Sequence, residues 1–456
     1  MKRSWEHVHF VGIGGTGLSA IARVLAERGW KVTGSDRQAS SRTAMLQALG
    51  VAVAIGHAPA WARQADVVVR SSAVPEHDPD VVAAREAGVP VLKRRDFLPY
   101  LTADARVLAV AGSHGKTTTT AMLAWVWTAL GQDPTFIIGS EAANLGTNAR
   151  AGQGPDFIIE ADEYDHMFLG LRPAVAVVTN IEHDHPDLFP TAEDFYAAFR
   201  QFVAQVREDG WLMACADNPN SRRLAAESAS SAWTYGLHAP ADYQAQILRP
   251  NTSGGYDFAF SFQGQALGEA RLQVPGEHNV QNALAVLAVA HRLGLDVTAA
   301  AEALAAFRGT ARRFEVVGEA QNVVFVDDYA HHPTEIRATL AAARQYYPGR
   351  EVWAVWQPHT FSRTRTLLGD FATAFAQADA VVVTEIYAAR EQAPEDFGGQ
   401  QVAAALQHPR VHFAPTLREA AAVLVSEVHP PAVVLVLSAG DAPQVTRWAL
   451  EGWQAK

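Results

Sequence analysis

Residues 107–120 read VLAVAGSHGKTTTT, and this stretch determines how the rest of the chain is interpreted. The apolar run Val107–Ala111 predicts a short buried strand, and the apolar run Ala121–Leu130 predicts a helix. A strand, a glycine loop, Lys-Thr and a helix together form an arrangement that cradles phosphates, because loop N–H groups and the helix N-terminus favour anions. In such a loop Lys116 reaches the β and γ phosphates and the Thr117 hydroxyl binds Mg²⁺.

The loop is shorter than the usual phosphate loop, since Val110 stands where a glycine is expected five residues before Gly-Lys. A glycine turn that binds nothing is therefore the alternative. The distribution of lysine favours phosphate binding. The chain has five lysines, and between Arg94 and Ala455 the only one is Lys116. An ammonium group is a compact point charge that arginine does not replace at a phosphate site.

Composition limits the classes of protein to which the chain can belong. A length of 456 residues suggests two to four domains. The net charge of −11 argues against a nucleic-acid or anionic-membrane partner. The single cysteine, Cys215, excludes an intramolecular disulfide and is predicted to be a buried small hydrophobe. No signal-peptide core and no run near the ~18 apolar residues of a membrane span are present, so we predict a cytoplasmic protein with no membrane span.

A second glycine-rich loop follows the first predicted strand, Val8–Val11. Gly12, Gly14 and Gly17 fit the dinucleotide fingerprint, and Asp36 stands 19 residues after Gly17. The pattern predicts half of a Rossmann fold that holds a diphosphate at a helix N-terminus, with a carboxylate available for a ribose. It does not distinguish NAD from another nucleotide, and a turn without a ligand stays open.

Strand and helix patterns alternate along the whole chain and fall into three units, which predicts an α/β protein. Polar residues 102–104 end the first unit, and the composition changes again near residues 308–310. The predicted domains are therefore 1–105, 106–310 and 311–456.

Acids and histidines follow the predicted strands of the second unit. The strand 156–159 leads into three carboxylates at 160–163, and the strand 175–179 leads into the segment Glu182–His185. Open α/β sheets bind ligands at the carboxyl ends of their strands. Carboxylates and an imidazole near a triphosphate indicate hard-cation sites, chiefly for Mg²⁺. A solvated acidic loop is the alternative for either cluster alone.

The third unit shows the same pattern after its strands. The strand 323–326 ends in DDYAHHP, and the strand 352–356 ends in QPH before a loop that contains Arg363.

In the second unit, Asn279 and Asn282 share one face of a helix; a helix N-cap would explain Asn279 but not Asn282. Other histidines, such as His57 and His412, carry no pattern and are predicted to be structural or surface residues.

Ten long motifs stand in one order along the chain: HFVGIGGTGLSAIA (9–22), AGSHGKTTTT (111–120), IGSEAANLGTNA (138–149), EADEYD (160–165), TNIEHDHPD (179–187), EHNVQNALA (277–285), RRFE (312–315), DDYAHHPTEI (327–336), QPHTFSRT (357–364) and EIYAARE (385–391). Together they resemble the Mur ligase family of peptidoglycan synthesis over nearly the whole chain. The resemblance is strongest to the members that add L-alanine to UDP-N-acetylmuramate.

The resemblance implies a three-domain architecture: a Rossmann-like N-terminal domain for the UDP-sugar, a P-loop ATPase-like central domain for ATP, and a Rossmann-like C-terminal domain. It implies an ATP- and Mg²⁺-dependent ligase that joins L-alanine to the lactyl carboxylate of UDP-N-acetylmuramate through an acyl phosphate. The implied partners are these two small molecules, with no nucleic acid, and the expected state is a monomer or weak homodimer.

The resemblance also implies roles for individual residues. For the UDP-sugar side these are Gly12, Gly14, Gly15, Gly17, Asp36, Ser71, Thr147 and Asn148. For ATP they are Gly112, Ser113, His114, Gly115, Lys116, Thr117, Thr118, Asn279, Asn282, Arg313 and Asp328. The implied Mg²⁺ ligands are Thr117, Glu160 and His185, and the implied L-alanine site is Tyr329, His331 and Arg363. The implied catalytic residues are Lys116, Glu160, His185 and His331, the last as a candidate base.

Two positions depart from the family pattern. Thr360 stands where many of these ligases have an arginine, and Tyr164 stands where the alanine-adding enzymes commonly have serine. A tyrosine at position 164 resembles the pattern of the related muropeptide ligase, which attaches a recycled tripeptide to the same UDP-sugar. That enzyme is the first alternative. A nicotinamide oxidoreductase and a non-catalytic nucleotide switch are the others, and each leaves several motifs unexplained.

Overall fold

The computed structural model describes residues 5–455, and these residues form three units, each built on one β-sheet. The first sheet is parallel throughout, with strand order β3-β2-β1-β4-β5. Its strands are β1 His7–Val11, β2 Lys31–Asp36, β3 Ala52–Ile55, β4 Val67–Arg70 and β5 Val91–Lys93, and its helices are α1 Thr16–Glu27, α2 Ser41–Ala48, α3 Pro59–Ala62, α4 Pro79–Glu86 and α5 Arg94–Leu101. The strand order reverses beside β1, and such a reversal opens a crevice for ligands at the carboxyl ends of the strands.

The second sheet has ten strands in the order β15-β14-β13-β12-β11-β10-β6-β9-β7-β8. The strands are β6 Arg106–Ala111, β7 Thr135–Ala142, β8 Thr147–Arg150, β9 Asp156–Glu160, β10 Val175–Val178, β11 Trp211–Cys215, β12 Ser231–Gly236, β13 Tyr243–Pro250, β14 Tyr256–Phe262 and β15 Gln265–Arg271. The helices are α6 Lys116–Ala129, α7 Ala192–Val203, α8 Pro219–Glu227, α9 Glu277–Arg292 and α10 Val297–Ala305, with a 3₁₀ segment at Tyr164–Gly170. Strand β6 lies in the interior of the sheet. Its residues are apolar because alternate side chains pack into two buried clusters, one on each face of the sheet.

The third sheet has six strands in the order β16-β17-β21-β18-β19-β20, and β16 runs antiparallel to its neighbour. Its strands are β16 Glu315–Ala320, β17 Val323–Asp328, β18 Glu351–Trp356, β19 Ala380–Thr384, β20 Val411–Ala414 and β21 Ala432–Leu437. Its helices are α11 Pro333–Tyr346, α12 Phe361–Thr366, α13 Leu368–Ala372, α14 Gly399–Ala405, α15 Leu417–Glu427 and α16 Pro443–Gln454.

The first two sheets share one apolar core, whereas the third has its own. Phe97 and Leu98 of α5 belong to the same buried cluster as Phe157 and Phe168 of the central unit. The clusters around β17, β18 and β21 contain residues of the third unit alone. The third unit is therefore the part whose placement depends on polar contacts across a cleft.

The predicted α/β, three-domain fold class is confirmed, while the bounds at residues 105 and 310 stay predictions. The six strands predicted above coincide with β1, β6, β9, β10, β17 and β18 to within about two residues. The strands β3, β7, β8, β16 and β20 were not predicted. Within residues 5–455, no helix has both the length and the hydropathy that crossing a membrane requires.

Candidate active site

The loop between β6 and α6 has the backbone that a phosphate cradle needs. Gly112 and Gly115 have φ angles of 141° and 79°, which favour glycine. A Cβ on Gly112 would lie 1.9 Å from the Thr179 hydroxyl, so the position also requires the absence of a side chain. The His114 N–H donates to Asn180 Oδ1 at 2.8 Å and fixes the loop. The N-terminus of α6 therefore opens onto a rigid glycine loop.

Lys116 lies inside this loop. Its Nζ donates to the carbonyl oxygens of Gly112 and Ser113 and, at 3.0 Å, to Glu163 Oε1. Burial opposes the charge, but Glu163 and Glu160 outweigh it and raise the pKa of Lys116. The ammonium is charged at neutral pH and stands where it can meet phosphate oxygens.

The predicted Mg²⁺ ligands lie around one cavity. Thr117 Oγ1 donates to Glu160 Oε1 at 3.1 Å, and the Gly139 N–H donates to Glu160 Oε2 at 2.7 Å. Burial raises the pKa of Glu160. His185 Nε2 lies 3.6 Å from Glu163 Oε1, and the other oxygen of Glu163 is buried without a hydrogen-bond partner. This donor set of carboxylate and hydroxyl oxygens with one imidazole suits a hard divalent cation.

Two tighter groups of possible metal ligands occur elsewhere in the described chain, namely His114 with Glu182 and His332, and His57 with Asp78 and Asp80. The first group belongs to the cleft described below. In the second, His57 is largely exposed, as predicted, and Asp78 caps helix α4 through its hydrogen bond from the Asp80 N–H.

A cavity of about 750 Å³ lies on one side of the loop. It brings together the ATP-side residues that the sequence predicted, namely His114, Gly115, Thr118, Asn279, Asn282, Arg313 and Asp328. Asn282 Nδ2 donates to Asn279 Oδ1 at 3.2 Å, and Asn279 Nδ2 donates to the Pro275 carbonyl at 2.7 Å. The N-cap of α9 is Gly276, so the capping alternative for Asn279 is wrong.

A second cavity, of about 970 Å³, lies on the other side of the loop. All three units line it, and the predicted residues among its walls are Gly17, Ser113, Gly115, Lys116, Thr117, Thr147, Asn148, Glu160, His185, Arg313, Tyr329, His331 and Arg363. The two cavities share Gly115, Glu141, Ala311, Arg313 and Glu335 in their linings. They are therefore two parts of one cleft that meet at the phosphate loop.

The remaining predicted UDP-side residues lie together outside the second cavity's lining. The Gly14 N–H donates to Asp36 Oδ2 at 2.8 Å, which ties the first glycine loop to the end of β2. A Cβ on Gly12 would lie 3.2 Å from Ser71 Cβ, so β4 closes over the same loop. Gly15 precedes α1 as its N-cap. The roles of all these residues stay predictions.

The part of the cleft predicted to bind L-alanine contains a buried ion pair. Arg363 of α12 donates from Nε to Asp184 Oδ1 at 2.6 Å, and both side chains are less than 5% exposed. Thr360, at the position where the resemblance led us to expect an arginine, has a φ of 63° that is strained for a β-branched residue. Its carbonyl accepts from Thr364 Oγ1 at 2.7 Å, which holds this turn.

His331 is a neutral imidazole with a defined tautomer. Its Nδ1 lies 2.8 Å from the Tyr329 carbonyl, which only accepts hydrogen bonds, so Nδ1 carries the proton. Burial lowers the pKa of His331 to about 4. The Nε2 atom of His331 is therefore unprotonated at neutral pH and can accept a proton.

His114 joins the phosphate loop to the third unit. Its Nε2 lies 3.3 Å from Glu182 Oε2 and its Nδ1 lies 3.3 Å from Glu335 Oε1, while its ring packs on His332. Burial opposes the charge, but the two carboxylates outweigh it and raise the pKa of His114 to about 9. Glu335 also accepts from the backbone N–H groups of His331 and His332. The imidazolium therefore bridges the central unit to helix α11.

We expect the stabilisation by His114 to depend on pH. Because its folded pKa of about 9 lies above the ordinary value of 6.5, the contribution is full below about pH 6.5 and is lost as the pH rises through about 9. It amounts to at most about 3 kcal/mol. The difference in thermal midpoint between the wild type and His114→Gln should thus shrink from pH 6.5 to pH 9.5. A constant difference, or the same trend in the exposed control His238→Gln, would contradict this.

Sequence reasoning missed several residues of the cleft. Glu335 was not predicted, and Asp184 was predicted only as a member of the segment Glu182–His185. Glu335 pairs with His114 of the central unit, and Asp184 pairs with Arg363 of the third unit. His332 is the N-cap of α11, and the hydroxyl of Thr334 donates to Glu182 Oε2 at 2.6 Å. Glu335 stands three residues after His332, which is the spacing of a capping box. This spacing could have indicated Glu335, but a capping box normally has Ser or Thr at the N-cap.

Comparison with protein families gives a match over nearly the whole chain. The model of the "Mur ligase family, catalytic domain" matches residues 7–106, and that of the "Mur ligase middle domain" matches residues 110–290. The model of the "Mur ligase, glutamate ligase domain" matches residues 312–440.

Individual relatives match over similar lengths. The chain is 42% identical to the UDP-N-acetylmuramate–L-alanine ligase of Roseiflexus sp. strain RS-1, covering 96% of this chain and 97% of that protein. It is 46% identical to the enzyme of the same name from Frankia casuarinae, covering 85% and 84%. Among solved structures it is similar to the UDP-N-acetylmuramate–alanine ligase of Thermotoga maritima, with a TM-score of 0.82, 31% identity and coverage of 98% and 99%.

Proposed function

Because this chain belongs to the Mur ligase family, we propose that it joins L-alanine to the lactyl carboxylate of UDP-N-acetylmuramate and converts ATP to ADP and phosphate. The observation that carries the proposal is the meeting of the two cavities at the phosphate loop, with residues of the third unit on both sides. A nucleotide on one side and the carboxylate that accepts its γ-phosphoryl group on the other would face each other across Lys116 and Arg313.

The proposed reaction has two steps. The lactyl carboxylate oxygen attacks the γ-phosphorus of ATP, the bond from that phosphorus to the β–γ bridging oxygen breaks, and ADP leaves. The nitrogen of L-alanine then attacks the acyl carbon, and the carbon–oxygen bond to phosphate breaks to release phosphate. Lys116 neutralises charge on the transferred phosphoryl group. His331 Nε2 is the proposed acceptor of the proton that the amine loses, since this atom is unprotonated at neutral pH.

Thr117, Glu160 and His185 would hold Mg²⁺, because they line the phosphate side of the second cavity and supply suitable donor atoms. The cation would neutralise phosphate charge while the nucleotide is bound. Closure of the third unit on the other two would exclude water from the reactive acyl phosphate. The contacts of His114 with Glu335 and of Asp184 with Arg363 join the central unit to the third and support such a closed arrangement.

The division of work among the three units is part of the proposal. Residues 1–105 would bind the UDP-sugar, with its diphosphate along Gly12, Gly14 and Gly15 and its nucleoside towards Asp36. Residues 106–310 would bind ATP, with Asn279 and Asn282 on the adenine side. Residues 311–456 would bind L-alanine and close over the nucleotide. Since the substrates are a nucleotide sugar and ATP, we place the reaction in the cytoplasm. A monomer or weak homodimer stays the predicted state.

The muropeptide ligase alternative differs only in the amine donor. Tyr164, which suggested it, lines the second cavity and contacts His185, with a ring separation of 5.1 Å. Identities of 42% and 46% to alanine-adding ligases over most of the chain favour L-alanine over a tripeptide. A nicotinamide oxidoreductase or a non-catalytic nucleotide switch would not explain the cleft between the second and third units.

Phosphate release from ATP, measured in the presence of Mg²⁺, tests the proposed function directly. Release that requires both UDP-N-acetylmuramate and L-alanine is the expected result. Release with the muropeptide tripeptide and not with L-alanine would replace the proposed amine donor and leave the two-step chemistry intact. No amine-dependent release from folded protein would contradict the ligase assignment itself.

A further inference from the structure

The first unit contains a group of imidazole and carboxylate side chains that the proposed reaction does not use. His57 lies in the loop between β3 and α3, and Asp78 and Asp80 lie at the start of α4. Each of the three offers one possible ligand atom, and these atoms lie within 4.8 Å of one another. None of the three residues lines either cavity of the cleft, so the group is separate from the site described above.

The two carboxylates of this group are buried without a strong cation beside them. Asp78 and Asp80 are 6% and 0% exposed. Within residues 5–455 their ion-pair contacts are with imidazoles alone: His57 Nδ1 lies 3.6 Å from Asp78 Oδ2, and His9 Nε2 lies 3.7 Å from Asp80 Oδ2. Both separations are too long for a hydrogen bond. Buried charges in proteins are normally paired or bound to a metal, so a positive charge is missing here.

A chain of hydrogen bonds in the core determines which nitrogen of His9 carries its proton. Burial lowers the pKa of His7, which is therefore neutral. His7 Nδ1 lies 3.2 Å from the Gln64 carbonyl, which only accepts, so Nδ1 carries the proton and Nε2 accepts. Thr33 Oγ1 lies 3.0 Å from His7 Nε2 and 2.9 Å from His9 Nδ1. Since the single hydroxyl proton of Thr33 goes to His7, His9 must donate from Nδ1, and a neutral His9 has a bare Nε2.

The bare nitrogen of His9 faces a second group that only accepts. His9 is completely buried, and its Nε2 has no hydrogen-bond partner. Burial opposes the charge of Asp80, but its polar neighbours, including His9 and Ser35, outweigh burial and lower the pKa of this carboxyl. Two acceptors that face each other in a buried place repel unless a cation stands beside them. A metal ion on Asp80 or a proton on His9 would supply that charge.

The carboxylates are already oriented in the way that metal ligands are. Asp80 Oδ1 accepts from the Ala58 N–H at 2.8 Å, and Asp80 Oδ2 accepts from Ser35 Oγ at 2.5 Å. Asp78 Oδ1 accepts from the Asp80 N–H at 3.0 Å. Each oxygen keeps a lone pair, and outer hydrogen bonds of this kind hold ligating carboxylates in place. The side chain of His57 is 43% exposed, which gives an ion a path from solvent.

The spacing and the donor types favour a tetrahedral transition-metal ion. Bonds of about 2.0–2.2 Å from zinc to nitrogen and oxygen place two ligand atoms of a tetrahedral site about 3.3–3.6 Å apart. The separations of 3.6 and 3.7 Å between imidazole nitrogens and carboxylate oxygens are close to this range. Imidazole suits zinc and its neighbours, whereas Mg²⁺ prefers oxygen ligands alone.

We propose that His57, Asp78 and Asp80 bind one divalent transition-metal ion of the zinc class, and that His9 lies on the core side of Asp80 with its bare nitrogen towards the ion. The ion joins the loop after β3 to the start of α4. The inference goes beyond the proposed function and does not depend on it, because no residue of the group takes part in the proposed reaction.

The metal site is connected to the first glycine loop through Ser35. The hydroxyl of Ser35 donates to Asp80, and its carbonyl accepts from the Gly12 and Ile13 N–H groups at 2.9 and 3.0 Å. An ion that holds Asp80 therefore also supports the backbone on which this loop rests. We expect the bound ion to stabilise the first unit, and this effect can be measured without catalysis.

The test titrates Zn²⁺ into the whole chain after removal of metals by a chelator, with excess Mg²⁺ present. One Zn²⁺ ion should bind, and at a concentration a hundredfold above its Kd the thermal midpoint should rise by about 5 °C. In His57→Gln and in Asp78→Asn the affinity should fall at least about 10-fold, the loss found even when an outer partner of a metal ligand is removed. Both variants should fold, because His57 is largely exposed and asparagine also caps helices.

Co²⁺ provides a second readout of the same site. Four-coordinate Co²⁺ absorbs visible light far more strongly than six-coordinate Co²⁺ in an oxygen-rich site, so the wild type should show an intense band that His57→Gln lacks. His238→Gln is the matched control, since His238 is an exposed imidazole 3.9 Å from Glu277 and lies outside the group. It should bind both ions as the wild type does.

Two outcomes would overturn the inference. Equal Zn²⁺ affinity in the wild type, His57→Gln and Asp78→Asn would place the ion elsewhere in the chain. No Zn²⁺ binding by the wild type would leave a proton on His9 as the cation beside Asp80. Neither outcome affects the proposed function, whose own test is the release of phosphate that depends on L-alanine.

Discussion

Lys116→Ala should lower kcat/KM for the complete reaction about 10³-fold, the loss expected when a group that stabilises transition-state charge is removed from a buried site. The ammonium lies within the phosphate loop and is charged at neutral pH, because Glu163 and Glu160 raise its pKa against the effect of burial. With alanine at this position the transferred phosphoryl group would lose the cation of the phosphate loop, and Glu163 would keep only His185 as an ion-pair partner.

Initial rates of phosphate release with all three substrates measure this loss. Lys31→Ala is the matched control, because Lys31 is an exposed lysine at the start of β2 and should retain full activity. Binding of UDP-N-acetylmuramate, measured by calorimetry, should change less than about threefold in Lys116→Ala, since the proposed UDP site lies in the first unit. Activity within tenfold of the wild type would contradict the assignment of this loop to phosphate.

Lys116 shows what the sequence could determine. Strand β6, the glycine loop and the start of α6 are contiguous, so the pattern of residues 107–120 contains the whole local arrangement. The same holds for the strand ends that carry Glu160, His185 and Asp328, because parallel strands bring their carboxyl ends to one edge. The burial of Cys215, which raises its thiol pKa to about 12, also confirms the sequence prediction of a structural cysteine.

The partners of these residues could not be predicted in the same way. The carboxylates of Glu182 and Glu335 meet at His114 although the first belongs to the central unit and the second to the third. Asp184 and Arg363 are 179 positions apart, and no local pattern relates them. Such pairs depend on how the units pack against each other, which neither hydrophobic period nor turn chemistry specifies. The edge strands β3, β16 and β20 were not predicted because they are partly or largely exposed and therefore lack a continuous apolar run.

Asp184→Ala is expected to have the second largest effect, because it leaves the Arg363 guanidinium buried without its counter-ion. Both side chains are less than 5% exposed, and their 2.6 Å hydrogen bond joins the loop after β10 to α12 of the third unit. Loss of one partner of such a pair costs about 3–5 kcal/mol. We expect the third unit to move from its position over the cleft, and kcat to fall about 10²-fold, since small displacements of reacting groups have effects of that size.

A double-mutant cycle distinguishes loss of the pair from loss of either side chain. Asp184→Leu with Arg363→Met replaces the pair by apolar groups, and the thermal midpoint should recover towards that of the wild type, although kcat should not. Because Arg363 is committed to Asp184, His359 and His185, the KM for L-alanine should change less than kcat in Asp184→Ala, by no more than about threefold. A KM for L-alanine that rises in parallel with the loss of kcat would instead make Arg363 the direct carboxylate ligand. In that case the cleft would close on the substrate through the residue that the sequence first indicated.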